Sequence, residues 1–280
     1  MRLFAPAFKV TLPPANRAAG SPGKPVSVKL TSMVYFLIPA YDEEATLGLL
    51  LYKIRQVMQG VRRDYLAVVL DDASRDATPE TAAKYQKFLP VKVLRHAQNE
   101  GFGRCLDRLV REAARLSRYP ERDIAITLEA DFTWSPDAVP DMVRQIEAGA
   151  DIVIGARSLP EDREDDMPLA RRAGGWISSM VLRVVIPLRG VNDYTSTFRA
   201  YRIGILKRAI AANQEGLITA RDGAANVELL LRLGRLHPTV AEVSARCRYD
   251  IRPRPSRYRW ARAVRSELSL TGRVGRVATR

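Results

Sequence analysis

Seven carboxylates stand in short polar stretches that each follow an apolar run: Asp42 and Glu43 in "PAYDEE", Asp71, Asp72 and Asp76 in "DDASRD", and Glu129 and Asp131 in "LEADFTWSPD". Oxygen-only donors of this kind suit a hard divalent ion, Mg2+ or Mn2+, shared with a substrate's phosphates. A single acidic pair of this spacing is equally well a cap or a turn. Several acidic loops brought to one level of a fold instead mark a ligand site. Other chemistries lack their residues. His96 and His237 have no local partner and are too few for zinc. Cys105 falls inside a helical pattern, so no Ser-His-Asp or Cys-His set is available. A P-loop is absent, and "GFGR" lacks the third glycine of a dinucleotide fingerprint.

The elements that must position these acids alternate along the chain. "MVYFLIP" (33–39), "LAVVLDD" (66–72), "VKVLR" (91–95), "IAITLE" (124–129) and "DIVIG" (151–155) are short, rich in β-branched residues and apolar at nearly every position. They predict buried strands of a mainly parallel sheet. Residues 43–58, 78–88 and 103–117 have helix spacing, and Asp76 or Thr78 can cap the second of these, with Pro79 at its first position. This alternation predicts an α/β, Rossmann-like sheet flanked by helices with right-handed crossovers. Each polar cluster, "HAQNEGFG" included, then lies at the carboxyl end of a strand, the edge where such sheets bind ligands.

Charge divides the chain further. The formal charge is +14, yet residues 1–30 carry five basic residues and no acid, and residues 246–280 carry eleven arginines against Asp250 and Glu267. The segment between them is neutral. The expected organisation is a disordered, proline-bearing basic lead-in over 1–30, one folded domain over 31–245, and an arginine-rich segment over 246–280. Basic ends attract nucleic acid, an anionic membrane face or a phosphorylated substrate, and charge alone does not choose among them. The acidic edge argues against nucleic acid in the pocket. Two cysteines make no disulfide framework and suit a reducing, cytoplasmic compartment. No secretory signal is seen at the start. The apolar run 176–188, broken by Arg183 and Pro187, is shorter than the roughly 20 residues of a membrane span. With the basic ends of 171–190 around it, it fits an interfacial helix as well as a core helix.

The stretches "IPAYDEEATL", "DDASRDAT", "NEGFGRCL", "LEADFTWSPD", "GARS", "DYTSTFRAYR" and "NVELLLRLG" occur in the order found in family 2 glycosyltransferases of GT-A fold, and over residues 33–260 the chain most resembles their dolichol-phosphate mannose synthase and polyprenyl-phosphate branch. The resemblance implies a nucleotide-sugar donor, GDP-mannose or a UDP-hexose, and a polyprenyl phosphate acceptor. Pro39, Tyr41, Glu43, Gly101 and Ala130 would line the nucleotide pocket, with Asp72 reading the base and Arg254 on the nucleotide. Asp131, with Glu129 beside it, would hold the metal that bridges the two phosphates. Arg157, Arg199 and Arg202 would lie near the acceptor side or buttress it, and Arg172, Ser178, Ser256 and Arg257 would serve the acceptor and its phosphate. The sequence departs from the family in Glu129, where aspartate is usual, in Thr197, where glycine is usual, and in lacking a glycine before Ser256.

Under that resemblance one direct displacement inverts the anomeric centre. A lipid phosphate is already an anion and needs no base, whereas a hydroxyl acceptor requires one, for which Asp193 and Glu228 are the candidates. The reading expected is a hexosyltransferase peripheral on the cytoplasmic membrane face. Its rivals are transfer to a soluble sugar, metabolite or glycan, and a catalytically degenerate GT-A binding protein with basic tails.

Overall fold

The computed structural model describes residues 32–157, 182–183, 191–213 and 216–248. The expected lead-in, the segment 171–190 apart from Leu182 and Arg183, and the arginine-rich segment beyond Arg248 lie outside the described residues. Strand β1 (Met33–Ala40) is followed by α1 (Glu44–Met58), β2 (Asp64–Asp71), α2 (Thr78–Gln86), β3 (Val91–Arg95), α3 (Phe102–Leu116) and β4 (Ile124–Thr127). Then come a 3-10 turn (Pro136–Ala138), α4 (Val139–Glu147), β5 (Ile152–Arg157), β6 (Arg199–Arg202), α5 (Ile203–Ala212), α6 (Ala224–Gly234) and β7 (Val240–Ala245).

The strands form one sheet in the order β3-β2-β1-β4-β6-β5-β7. β6 alone runs against its neighbours β4 and β5, while the other pairings are parallel. The five strands expected from apolar runs are therefore present. β6 and β7 were not expected, because Arg199 and Arg202 break one apolar run and Glu242 and Ser244 the other.

Side-chain alternation divides the core into two layers. Val34, Phe36 and Ile38 pack with Leu47, Leu50 and Ile54 of α1 and Met142 and Ile146 of α4. Tyr35 and Leu37 face the other way, onto Leu106, Leu109 and Val110 of α3 and Leu229, Leu230 and Leu233 of α6. A strand buried on both faces must be apolar throughout, which is why these runs carried no alternating pattern.

The helix starts use local chemistry. The N-cap of α2 is Ala77, with no side-chain cap, rather than Asp76 or Thr78 as expected; Asp76 Oδ1 instead accepts the N–H of Thr78, the first helical residue, at 3.0 Å, and Pro79 comes second. Helix α3 opens on Gly101, whose φ of +89° favours glycine. Gly103 follows for a different reason: a Cβ there would sit 1.8 Å from the Ala220 carbonyl oxygen. The two glycines of "GFGR" thus admit the 219–221 loop against the first turn of α3, and Gly103 N–H donates to Arg221 O at 3.1 Å.

Substituting Gly103→Ala should force that loop away from α3 and cost about 1–3 kcal/mol, the usual penalty for overpacking. Equilibrium urea unfolding measures it as a lower midpoint with an unchanged slope.

Candidate active site

Strand order reverses at β1, with β2 and β3 on one side and β4 on the other, so a crevice opens at the carboxyl ends of β1 and β4. The β1–β4 ladder stops at Leu37 opposite Thr127, one further bond running from Leu128 N–H to Leu37 O, while β1 continues to Ala40. Pro39 is tolerated in this central strand because its missing N–H faces the side where β4 has already ended. Pro39 and Tyr41 are half-buried at this mouth, and Ala130 is buried beside it. Three non-glycine residues take left-handed backbone just past the three strands: Asp42 (φ 52°), Ala73 (φ 58°) and Phe132 (φ 59°). Such conformations cost energy and are held only where surrounding bonds determine them.

Those bonds come from the acidic loops themselves. Asp42 Oδ1 accepts the Arg75 N–H at 2.8 Å, Glu44 Oε2 the Ala77 N–H at 2.9 Å, and Asp76 Oδ2 the Glu44 N–H at 3.2 Å. Glu43 N–H donates to Thr78 Oγ1 at 2.7 Å, and Glu43 Oε2 accepts the Thr46 hydroxyl at 3.0 Å. Asp71, fully buried, accepts the Ser74 N–H and pairs with Arg95. The acids that converge on the edge thus divide: those after β1 and β2 stitch two loops together, and Glu129 and Asp131 follow β4.

Asp72 is a third anchor. Its Oδ1 takes His96 Nδ1 at 2.7 Å and the Glu100 N–H at 2.9 Å, and its Oδ2 takes the Gly101 N–H at 2.8 Å. Burial pushes its pKa up, but these hydrogen bonds outweigh it and hold the carboxyl below the ordinary range. His96 has no local partner, as expected, but it has a distant one, because Asp72 stands just past the neighbouring strand β2. Cys105 Sγ lies 3.9 Å from the same His96 nitrogen, and burial, with Asp72 next, pushes the thiol well up, so it is no nucleophile. Asp72, His96 and Cys105 place three ligand atoms within 4.8 Å of one another. Nitrogen and sulfur suit softer ions than Mg2+ or Mn2+, and the Asp72 oxygens are already engaged by three donors.

Glu129 and Asp131 offer the harder donor set. Glu129 is half-buried and Asp131 buried, two and four residues past the end of β4. Asp131 Oδ1 accepts the Thr133 N–H at 2.9 Å, which fixes the carboxylate's orientation. Two carboxylates at a strand's open end fit a hard divalent cation.

Across the crevice, at the end of β5, Arg157 grips Asp193 with both arms of its guanidinium, Nε and Nη2 each at 2.8 Å, and also reaches Thr195. Burial pushes the Asp193 pKa up, but Arg157 and the Thr195 hydroxyl together bring it below the ordinary value. Glu228 is buried and accepts Thr219 N–H, Ala220 N–H and Thr219 Oγ1, each at 2.8 Å, and Arg232 at 2.9 Å. Burial again opposes ionisation there and the Ala220, Arg232 and Thr219 bonds prevail. Glu228 thereby holds the loop that abuts Gly101 and Gly103.

Arg199 is fully buried, donating to Asn226 O and Tyr194 O at 2.7 Å each. Arg202 faces Ile124 at the opposite end of β4, donating to the carbonyls of Glu121, Ile146 and Ala150. Arg199 thus serves backbone carbonyls inside the fold, and Arg202 stands at the end of the sheet away from the crevice. Arg172, Ser178, Arg254, Ser256 and Arg257 lie outside the described residues.

Two features at the edge carried no sequence signal. Chain beyond β7 runs antiparallel along the Asp131 loop, with Ser135 N–H on Arg246 O at 3.0 Å, Arg248 N–H on Thr133 O at 2.7 Å, and Trp134 opposite Cys247. Trp134 Nε1 donates to Thr197 Oγ1 at 3.1 Å. Both contacts join residues far apart in the chain.

The chain is 31% identical over 170 residues to a dolichol-phosphate mannosyltransferase of Pyrococcus furiosus, 60% of this chain and 46% of that protein, so it spans less than half of that relative. It is 29% identical over 211 residues to an undecaprenyl-phosphate mannosyltransferase of Micrococcus luteus, 75% of this chain and 81% of that protein. Its fold is similar to the crystal structure of glucosyl-3-phosphoglycerate synthase from Mycobacterium tuberculosis in complex with Mn2+, UDP and glucosyl-3-phosphoglycerate, with a TM-score of 0.61 at 20% identity over 89% of this chain and 82% of that one. The model of glycosyl transferase family 2 matches residues 35–209. A mixed seven-stranded sheet opening between β1 and β4, under that match, is the GT-A fold, and the chain belongs to glycosyl transferase family 2.

Proposed function

We propose that the chain is an inverting, metal-dependent glycosyltransferase that moves a hexose, mannose or glucose, from GDP-mannose or a UDP-hexose to a polyprenyl phosphate at the cytoplasmic membrane face. The observation that carries this reading is that the two carboxylates available as a base for a hydroxyl acceptor are both committed. Asp193 is paired with Arg157, Glu228 accepts four donors, and both have lowered pKa values. A phosphate acceptor brings its own negative charge and needs neither. The names of the relatives, which carry dolichol phosphate and undecaprenyl phosphate, agree with it. No helix among the described residues is long and apolar enough to cross a membrane.

In the mechanism, the nucleotide lies over the carboxyl ends of the strands, with Pro39, Tyr41 and Glu43 after β1, the loop anchored by Asp72 toward β3, and Glu129 and Asp131 after β4. Glu129 and Asp131 would hold the cation, which when bound offsets the charge developing on the departing diphosphate. An oxygen of the lipid phosphate forms the new bond to the sugar's anomeric carbon as the bond to the nucleoside diphosphate breaks. The electron pair leaves with the diphosphate, and no proton changes hands at Asp193 or Glu228.

Calorimetric titration with GDP, UDP and their hexose forms should show Mn2+-dependent binding of one nucleotide. Asp131→Ala should abolish the metal dependence and lower turnover by several orders of magnitude with an unchanged circular dichroism spectrum. Near-normal turnover in that variant would remove Asp131 from the site.

Transfer should slow on the acid side as the acceptor phosphate dianion takes up a proton to become the monoanion, near a pKa of about 6. A phosphonate acceptor of higher pKa should move that limb upward. A limb that stays put would identify a protein base instead.

The committed carboxylates also make an acid-stability prediction. Asp193 and Glu228 have folded pKa values below their ordinary 3.8 and 4.5, so the folded state binds fewer protons than the unfolded one as pH falls through that range. Their stabilisation is complete above those ordinary values and is lost as pH drops through the lower, folded ones. Asp193→Asn should be less stable at pH 7 and lose less stability between neutral and acid pH than the wild type, as read from urea midpoints.

A further inference from the structure

The segment from Leu128 to Ser135 carries both candidate metal ligands yet belongs to no named strand and turns through the left-handed residue Phe132. Something other than a sheet ladder must hold it in place. Trp134 is where its fastenings meet. The indole is 4% exposed, its ring centroid lies 6.0 Å from that of Phe198, and its Nε1 donates to Thr197 Oγ1 at 3.1 Å. Its backbone lies opposite Cys247, with a hydrogen bond on either side of that bridge. Thr197 is itself tied to the sheet, because its carbonyl accepts the Thr127 hydroxyl at 2.7 Å from the last residue of β4.

We propose that the Trp134–Thr197 hydrogen bond is a positioning device for the reaction: it sets the height of Glu129 and Asp131 above the end of β4, and hence the fit of the cation shared with the nucleotide's phosphates. The coupling path is short, since Asp131 Oδ1 accepts the N–H of Thr133, the residue next to Trp134. A buried indole N–H needs an acceptor, and one left without it carries a desolvation penalty. The Thr197 hydroxyl is that acceptor, at 3.1 Å.

This inference rests on the proposed metal site, and its test separates the two. Full-length wild type, Trp134→Phe, Thr197→Val, the double variant and Thr197→Ser are compared for Mn2+-dependent affinity for the nucleotide that the wild type binds, for affinity without Mn2+, and for thermal midpoint. Trp134→Phe and Thr197→Val should each weaken the Mn2+-dependent binding about tenfold, the scale of a lost outer-shell partner at a metal site. Metal-free affinity should stay unchanged. The double variant should be no worse than either single one, because both remove one shared bond, and Thr197→Ser should restore wild-type binding. Variants that lose thermal stability but bind Mn2+ and nucleotide as the wild type does would reduce the bond to packing and overturn the inference. Additive losses in the double variant would overturn it too. If Trp134→Phe fails to fold, Thr197→Val against Thr197→Ser decides alone. A wild type that binds nucleotide without any metal dependence would defeat the metal reading first, and the inference with it.

Discussion

Between β1 and β4 the hydrogen-bond ladder runs out before β1 does, and the rest of the site depends on that mismatch. β4 yields its last rung at Thr127, so the chain carrying Glu129 and Asp131 leaves the sheet while Pro39 and Ala40 still extend alongside β2. The gap is the crevice, and it exists because strand order reverses there. The β1–β4 ladder does not close its walls, so they are held by side chains and, after β4, by a short backbone pairing of Thr133–Ser135 with Arg246–Arg248. Asp42, Glu44 and Asp76 hold the loops after β1 and β2 to each other, Asp72 holds the loop after β3, and Trp134 with Thr197 holds the loop after β4.

Charge at this edge is therefore mostly committed. A carboxylate that accepts several backbone N–H groups keeps its negative charge at low pH but has little capacity left to take a proton from a substrate. Asp72 and Glu228 are of this kind, and Asp193, gripped by Arg157, joins them through an ion pair. Such carboxylates suit general-base catalysis poorly.

Arginine is used as structure here as much as for binding. Arg199 and Arg202 satisfy backbone carbonyls where β6, the one reversed strand, passes between β4 and β5. A guanidinium supplies five donors in a fixed fork, enough to satisfy several carbonyls that no regular ladder reaches. Arg157 differs only in that its partner is an acid at the crevice side of the sheet.

The sequence by itself determined the five apolar strands, the first three helices between them and the edge on which the acids gather. Strand burial requires continuous apolar residues and helix packing requires spaced ones, and both patterns are local. It also marked Glu129 and Asp131, which stand just past the end of β4. Only the tertiary structure decided what each acid does, because a hydrogen bond from His96 to Asp72, or from Trp134 to Thr197, joins residues of different loops and leaves no trace in spacing. The same holds for β6 and β7, whose charged residues conceal them until their neighbours are known, and for Gly103, whose reason is a carbonyl oxygen more than a hundred residues away in the chain. Local pattern specifies elements; the partners that commit a charge or spare it are chosen only when those elements meet.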